Sequence, residues 1–514
     1  MSRVLALAAA TAAIAAVLAV PEPGDPGAVP EDAVLEEVTS TVLACPALAL
    51  APGSVAAVGG LVAEGLPGDR PGSAGLRLLD STDDLARVPS PGSPVHLLFA
   101  GKSRPPVLMQ ARGAWATSAL AGVAVREADP LGLDAGARPG ISSTACFAPA
   151  AQWWFVGSGS QAGRDATLLV ANPAQEPARF DINLHGRTGA IPALASRGID
   201  VAPESHVRLR LEALAPDEPL LAVHVQATNG RVTAALRDVL APRGDEGRGA
   251  DFIPPAQPPG NDLVIAGVPG GAGSRELVLV NPGTHFATVT PRLLSAGGRS
   301  QIEGLGTVAV PAGSVVSVDL DRVLGGRAGS LHLASDTAVT GGVRSSWGTV
   351  RREFMWLAAT PRVDAGAPLA GAVVVPGGAG LTTTVTIAAP EGTVQGTLSS
   401  ATAGSAADSI VGSASDAAGS TGAVLPAGAA VDRLQVVVPA GTQRTLTVSG
   451  TAAVAAASLS WLSDSGSGPA LVSHVTLDER AALATGYQWW PATSYVPIVG
   501  VREDIGTLIA GETP

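Results

Sequence analysis

Leu168-Leu169-Val170-Ala171-Asn172-Pro173 recurs 109 residues later as Leu277-Val278-Leu279-Val280-Asn281-Pro282, with a looser echo at Val385-Thr386-Ile387-Ala388-Ala389-Pro390. Each is an apolar run stopped by proline, which cannot donate to a strand ladder. Further on, Ile199-Asp200-Val201-Ala202-Pro203-Glu204-Ser205 is matched by Val308-Ala309-Val310-Pro311-Ala312-Gly313-Ser314 and by Val436-Val437-Val438-Pro439-Ala440-Gly441-Thr442. Alternating segments follow these turns: Val207-Arg208-Leu209-Arg210-Leu211, the less regular Val315-Val316-Ser317-Val318-Asp319-Leu320, and Thr445-Leu446-Thr447-Val448. A period of two puts apolar side chains on one face and polar ones on the other, as half-buried antiparallel strands require. The offset is 108 residues from Pro203 to Pro311, close to the size of an immunoglobulin-like β-sandwich. The third spacing, 128 residues from Pro311 to Pro439, is longer because Ser399 to Gly422 is almost wholly Ser, Ala, Gly, Thr and Asp. That stretch reads as a mobile inserted loop.

Outward from the repeats the pattern thins. Ala51-Pro52-Gly53-Ser54 echoes the Pro-x-Gly-Ser turn, and Val95 to Trp115 resembles Ser330 to Trp347. Residues 38-150 therefore read as a partial module. Val496 to Ala510 resembles the opening strands Leu263 to Leu279, so the tail looks like an unfinished unit that completes the N-terminal module. The expected organisation is a signal peptide or membrane anchor (1-21), an acidic Pro-rich linker (22-37) and the partial module (38-150). Three β-sandwich repeats follow (151-250, 251-361 and 362-486, the last carrying the loop 399-422), and then C-terminal strands (487-514). The fold class is all-β: tandem immunoglobulin-like β-sandwich repeats after an N-terminal hydrophobic helix.

Composition agrees. The chain has 514 residues, 63 Gly, 41 Pro and only 3% aromatic side chains, which favours several small domains of short strands and many turns. A net charge of −12 argues against a nucleic-acid partner, since clustered basic residues are needed to neutralise phosphates. After Arg3, the run from Val4 to Val20 is apolar apart from Thr11. As a helix it spans about 25 Å, suiting either a cleaved export signal or a short anchor. It makes at most a single membrane contact, and the protein is expected to be extracytoplasmic. Two cysteines, Cys45 and Cys146, lie outside this segment; in an exported chain an isolated pair reads as a disulfide, against the weaker reading of a metal or nucleophile site.

Ala145-Cys146-Phe147-Ala148-Pro149-Ala150-Ala151-Gln152-Trp153-Trp154-Phe155-Val156-Gly157-Ser158-Gly159, followed by Leu168 to Pro173 and Ala222-Val223-His224-Val225-Gln226-Ala227-Thr228, resembles a family of large exported actinobacterial proteins catalogued only as a domain of unknown function. The resemblance runs from about Thr41 onward. It implies an export segment, β-sandwich repeats and a cell-envelope location, and brings no catalytic residues; Ala389 departs from it where Asn stands in the other copies.

Chemistry-bearing motifs are sparse. His96, His224 and His332 occupy Val-His-Leu, Val-His-Val and Leu-His-Leu contexts, better explained by a repeated strand position than by a metal site. No metal and no cofactor is expected. The Gly-rich stretches 157–163, 267–273 and 377–380 lack Gly-Lys-Ser/Thr and read as inter-strand turns. Asp80, Asp83 and Asp84 read as a solvated turn, and Asn172 and Asn281 as residues that satisfy turn backbone groups. Catalytic carboxylate pairs meet only in the folded chain, so a hydrolase is a third class of function.

The aromatics cluster as Gln152-Trp153-Trp154-Phe155, Phe354-Met355-Trp356 and Tyr487-Gln488-Trp489-Trp490. Neighbours on a strand face opposite sides, so one ring of each Trp pair enters a core while the other reaches a domain junction or a ligand. The sequence thus points to a non-enzymatic cell-envelope structural or protein-interaction protein, its partner an envelope protein or a cell-wall glycan. The alternative is a carbohydrate- or glycolipid-binding protein using Trp153, Trp154, Trp489 or Trp490.

Overall fold

The computed structural model describes residues 34–498 apart from 51, 64–70, 128–139, 241–248, 348–352, 363–369, 376–380, 403–422, 426–430, 449–456, 479–482 and 491–494. The expected export segment 1-21, most of the linker 22-37, the low-complexity core of the loop 399-422 and the tail beyond Ile498 lie outside the described residues. Nearly all regular structure is β; the helices among the described residues are single turns such as Leu211–Leu214 and Asp321–Leu324. None is long and apolar enough to cross a membrane. Contacts divide the chain into two compact units. In one, the end segments meet: Val34–Glu37 pairs antiparallel with Tyr495–Ile498. The other is Val38–Ser494.

Within Val38–Ser494 one strand order returns four times, each time as two antiparallel ladders. In residues 40–145 the first ladder runs Ser40–Ala44, Val107–Gly113, Gly72–Leu78, Asp84–Arg87, and the second Val95–Ala100, Val55–Val62, Ala119–Glu127, Gly140–Ala145. The next region repeats this with Gln152–Ser158, Leu221–Asn229, Ala178–Gly186, Ile199–Val201 and then Ser205–Arg210, Arg164–Asn172, Thr233–Leu240, Gly249–Ile253. The last uses Ala370–Val375, Ala457–Ser463, Val394–Thr402, Val431–Val438 and Thr442–Val448, Thr382–Ala389, Leu471–Asp478, Leu483–Gln488. In the third region two strands that are separate elsewhere fuse into the 19-residue Gly329–Trp347, so both ladders join in one eight-stranded sheet.

Residues 38-150 thus carry both ladders where a partial module was expected, and of the expected C-terminal strands Tyr495–Ile498 pairs with Val34–Glu37. The sequence match of Val95–Trp115 to Ser330–Trp347 was displaced by one strand. By ladder order Val95–Ala100 corresponds to Ser205–Arg210, so His96 is not equivalent to His224 and His332. The expected loop also begins later, since Val394–Thr402 continues as a strand past Ser399. Beyond it, Ala423–Leu425 adds to the outer edge of Val95–Ala100 in the first region.

Alternation places the cores. Along Ala178–Gly186, Ala178, Phe180, Ile182 and Leu184 are buried while the residues between them are less so. Four large apolar clusters result, and they trade residues. Phe354, Trp356 and Ala358 enter the core built mainly from residues 153–256. Val475 and Ala484 enter the core of residues 263–359, and Ala145 that of residues 385–489. The four regions are therefore fused side by side, not strung as independent beads.

Local detail repeats as well. Asn172 Nδ2 donates to the carbonyls of Glu176 (2.7 Å) and Val201 (3.3 Å), and its Oδ1 accepts from Ala174 N at 3.1 Å. Asn281 does the same with His285 (2.7 Å), Val310 (3.0 Å) and Gly283 N (3.0 Å). Both side chains are wholly buried and satisfy backbone groups that the proline-terminated strand leaves open.

Candidate functional site

Among the described residues, buried polar groups concentrate where the last strands of the four regions meet. Gly140–Ala145, Gly249–Ile253, Glu353–Ala358 and Leu483–Gln488 are each the terminal strand of a ladder, and each packs against two of the others. Side chains, not ladder bonds, close the circuit. Asp251 Oδ1 accepts from Ser143 N (3.3 Å) and from Thr485 Oγ1 (2.9 Å), and the Ser143 and Thr485 hydroxyls lie 2.9 Å apart. Glu353 Oε1 accepts from Ala250 N at 3.3 Å, and Gln488 Oε1 accepts from Ala358 N at 2.8 Å. These four strands would otherwise present open edges; the hub caps them within the chain.

Charge is compensated around the hub. Arg237 donates to Glu127 Oε2 at 2.6 Å and Ser142 Oγ to Glu127 Oε1 at 3.2 Å, joining the first two regions. Asp238, opposite Asp251 across their ladder, is gripped by Arg164 at 2.7 Å and reached by Trp356 Nε1 at 3.3 Å. The Trp356 ring enters where Gly157 leaves room: with φ of +113°, a Cβ on Gly157 would overlap the ring carbons. Asp251 has no such cation among the described residues. Burial pushes its carboxyl well above the ordinary carboxylate range, against the opposing pull of Thr485 and the backbone amides of Phe252, Ser143 and Trp356.

Asp251 and Glu353 are the carboxylates a hydrolase reading would seek, and both are 0% exposed. A polymer substrate needs an open groove to reach its acid and base, and these face strand against strand. No group of three or more His, Cys, Asp or Glu side chains among the described residues is placed to hold a metal. The hub is built to hold sheets together.

Cys45 and Cys146 form a disulfide across 101 residues, inside the first apolar core. The four candidate tryptophans are drawn inward. Trp153, Trp154 and Trp489 are at most 5% exposed, and Trp490 is half-buried. Phe147 lies edge-on to both Trp153 (5.4 Å) and Trp490 (5.8 Å), so the two Trp pairs, 336 positions apart in sequence, converge on one aromatic junction. Trp153 Nε1 donates to Val232 O at 2.8 Å and Trp489 Nε1 to His474 Nδ1 at 3.0 Å. Trp154 stacks on His224 with centroids 4.0 Å apart. Burial, with His185 nearby, lowers the His224 pKa to about 4, and burial alone lowers that of His474 to about 3; both are neutral.

His332 lies 2.6 Å from Asp262, which also accepts from Arg362 at 2.6 Å; Arg362 continues to Glu391 at 3.0 Å. Burial favours protonation of Asp262, but His332 and Arg362 outweigh it and hold the carboxyl low. The histidines thus do separate structural work. A cleft of about 550 Å³ opens between the turn at residues 267–270 and the outer face of Thr382–Ala389. Neither hub nor cleft was visible in sequence. Asp251 sits in Gly-Ala-Asp-Phe-Ile, and the only signal was a carboxylate next to an aromatic and apolar stretch, as Glu353 also is before Phe354-Met355-Trp356.

The chain belongs to a family of unknown function (DUF5719), whose match covers residues 100–410. No curated protein matches it. Among solved structures it is similar to trypsin-activated alpha-2-macroglobulin from Escherichia coli at 11% identity, covering 91% of this chain and 43% of that one. The chain spans less than half of that structure's length, and at a TM-score of 0.09 the likeness bears on neither fold nor function.

Proposed function

We propose that this protein is an exported, non-enzymatic scaffold of the cell envelope, four immunoglobulin-like sandwiches locked into one body and acting through its outer surface on an envelope protein. The observation that carries the reading is the hub: the chain commits its buried carboxylates, amides and hydroxyls to closing four terminal strands on one another. A single rigid body with its own edges capped is suited to holding partners at fixed spacing. The Cys45–Cys146 disulfide supports an oxidising compartment outside the cytoplasm. The apolar run after Arg3 supplies the export signal or anchor in this reading. Burial of Trp153, Trp154 and Trp489 counts against glycan stacking on those three rings and so favours a protein partner over the alternative reading.

The test is fractionation of cells expressing the full chain, with thiol alkylation before and after reduction. The protein is expected outside the cytoplasmic membrane, with Cys45 and Cys146 reactive only after reduction. Free thiols in a cytosolic fraction, or release of sugars from purified cell-wall polymers by the isolated protein, would overturn the proposal.

A further inference from the structure

The cleft beside Thr384 has features that the scaffold reading leaves unused. Its floor is the outer face of Thr382–Ala389 and its neighbours, where register lines up hydroxyls: Thr382, Thr384 and Thr386 follow one another on one face, and Thr445 stands opposite Thr386. Thr386 Oγ1 and Thr445 Oγ1 are 3.2 Å apart, and Thr384 Oγ1 reaches Val475 O only at 3.4 Å. A hydroxyl offers one donor and two acceptor sites, so each retains capacity for a bound molecule. Gln443 and Asp478 add an amide and a carboxylate to the lining, while Val268, Pro269 and Leu477 supply apolar wall.

The position is set by a close approach. Gly267 has φ of +76°, and a Cβ there would overlap Ser473 Oγ, so only glycine lets this turn come down beside the threonine face. The turn then lifts away and leaves the cleft. Its volume of about 550 Å³ lies within the usual span of small-molecule sites. Among the described residues no Lys or Arg lines it, which disfavours phosphates and other anions. Hydroxyl and amide groups beside an aliphatic wall, with the Asp478 carboxylate as a further acceptor, match a molecule with a donating hydroxyl rim and a C–H face.

We infer that this cleft is a binding site for a neutral saccharide of one or two pyranose rings. The site is separate from the four tryptophans, and the inference does not depend on the scaffold reading. A sugar held here would sit on the outer surface between the third and fourth regions without entering the hub.

The test is saturation-transfer difference NMR on the full chain with maltose, cellobiose and N,N′-diacetylchitobiose, and spermidine as a cationic competitor. At least one disaccharide is expected to bind saturably in the millimolar range. Thr384→Val, which removes a hydroxyl at nearly constant volume, should weaken binding about tenfold, the value of one lost hydrogen bond. Ala328→Trp, at an exposed position on the opposite wall, should block the cleft without touching a core. Thr447→Val, on the same sheet face outside the lining, should bind like the parent. The inference fails if no disaccharide saturates, if spermidine binds in their place, or if Ala328→Trp binds as well as the parent. Failure here leaves the localisation and thiol tests unaffected, so the two readings are separable.

Discussion

The hub around Asp251 and the cleft beside Thr384 are both junctions between neighbouring regions, both lined with hydroxyls, amides and a carboxylate, yet one is sealed and the other open. The difference lies in what meets. At the hub four terminal strands converge and their polar groups pair across the gap, whereas at the cleft one broad sheet face meets one narrow turn and cannot be covered by it. Polar residues at a junction do not by themselves make a site; a mismatch in the width of the meeting surfaces does.

The most damaging way to break this contrast is Trp356→Ala. It empties a fully buried indole from a neighbouring core and strips a donor from Asp238, with an expected loss of about 3 to 5 kcal/mol in denaturant unfolding. If the hub couples the regions, fluorescence and circular dichroism should still report one transition.

Asn281→Ala comes next, at about 1 to 3 kcal/mol, because the buried Val310 carbonyl, the His285 carbonyl and the Gly283 amide lose their partner. Asn172→Ala should cost a similar amount, as both clamps have the same geometry.

Asp251→Asn sharpens the contrast by pH. The folded-state pKa of Asp251 is raised, so its contribution to stability is fully present below the unfolded value and is lost as pH climbs towards the folded one. The amide cannot ionise and escapes that loss. Melting scans should show the variant more stable than the parent at pH 7, with the gap closing towards pH 4. A gap independent of pH would show that the carboxyl does not titrate with folding.

Thr382→Val, at the exposed rim of the cleft, should change stability by less than about 0.5 kcal/mol. A larger loss would mean that the cleft, too, is part of the framework.

The ladders were legible because their signals are local. Asn172-Pro173 and Asn281-Pro282 each end a strand by the chemistry of two adjacent residues, and period-two alternation needs only a few more. Completeness of residues 38-150 was hidden because Val55–Val62 carries Gly59-Gly60 and no Asn-Pro stop, so its likeness to Arg164–Asn172 exists in pairing but not in spelling. The tryptophans announced a boundary, but Phe147, which joins Trp153 to Trp490, could be recognised only once distant segments had met. Asp251 was illegible for the same reason: its partners Ser143 and Thr485 lie 108 and 234 positions away.

The fused strand Gly329–Trp347 has a mechanical consequence. Nineteen residues of extended chain have a contour of about 60 Å, and here a single backbone crosses from one ladder to the other. Sliding the two ladders of the third region past each other would have to break the pairing of this one strand on both, whereas in the second region the turn at residues 230–232 separates the corresponding strands. Under a pull applied along the molecule, this region should be the last to shear and its neighbours the first.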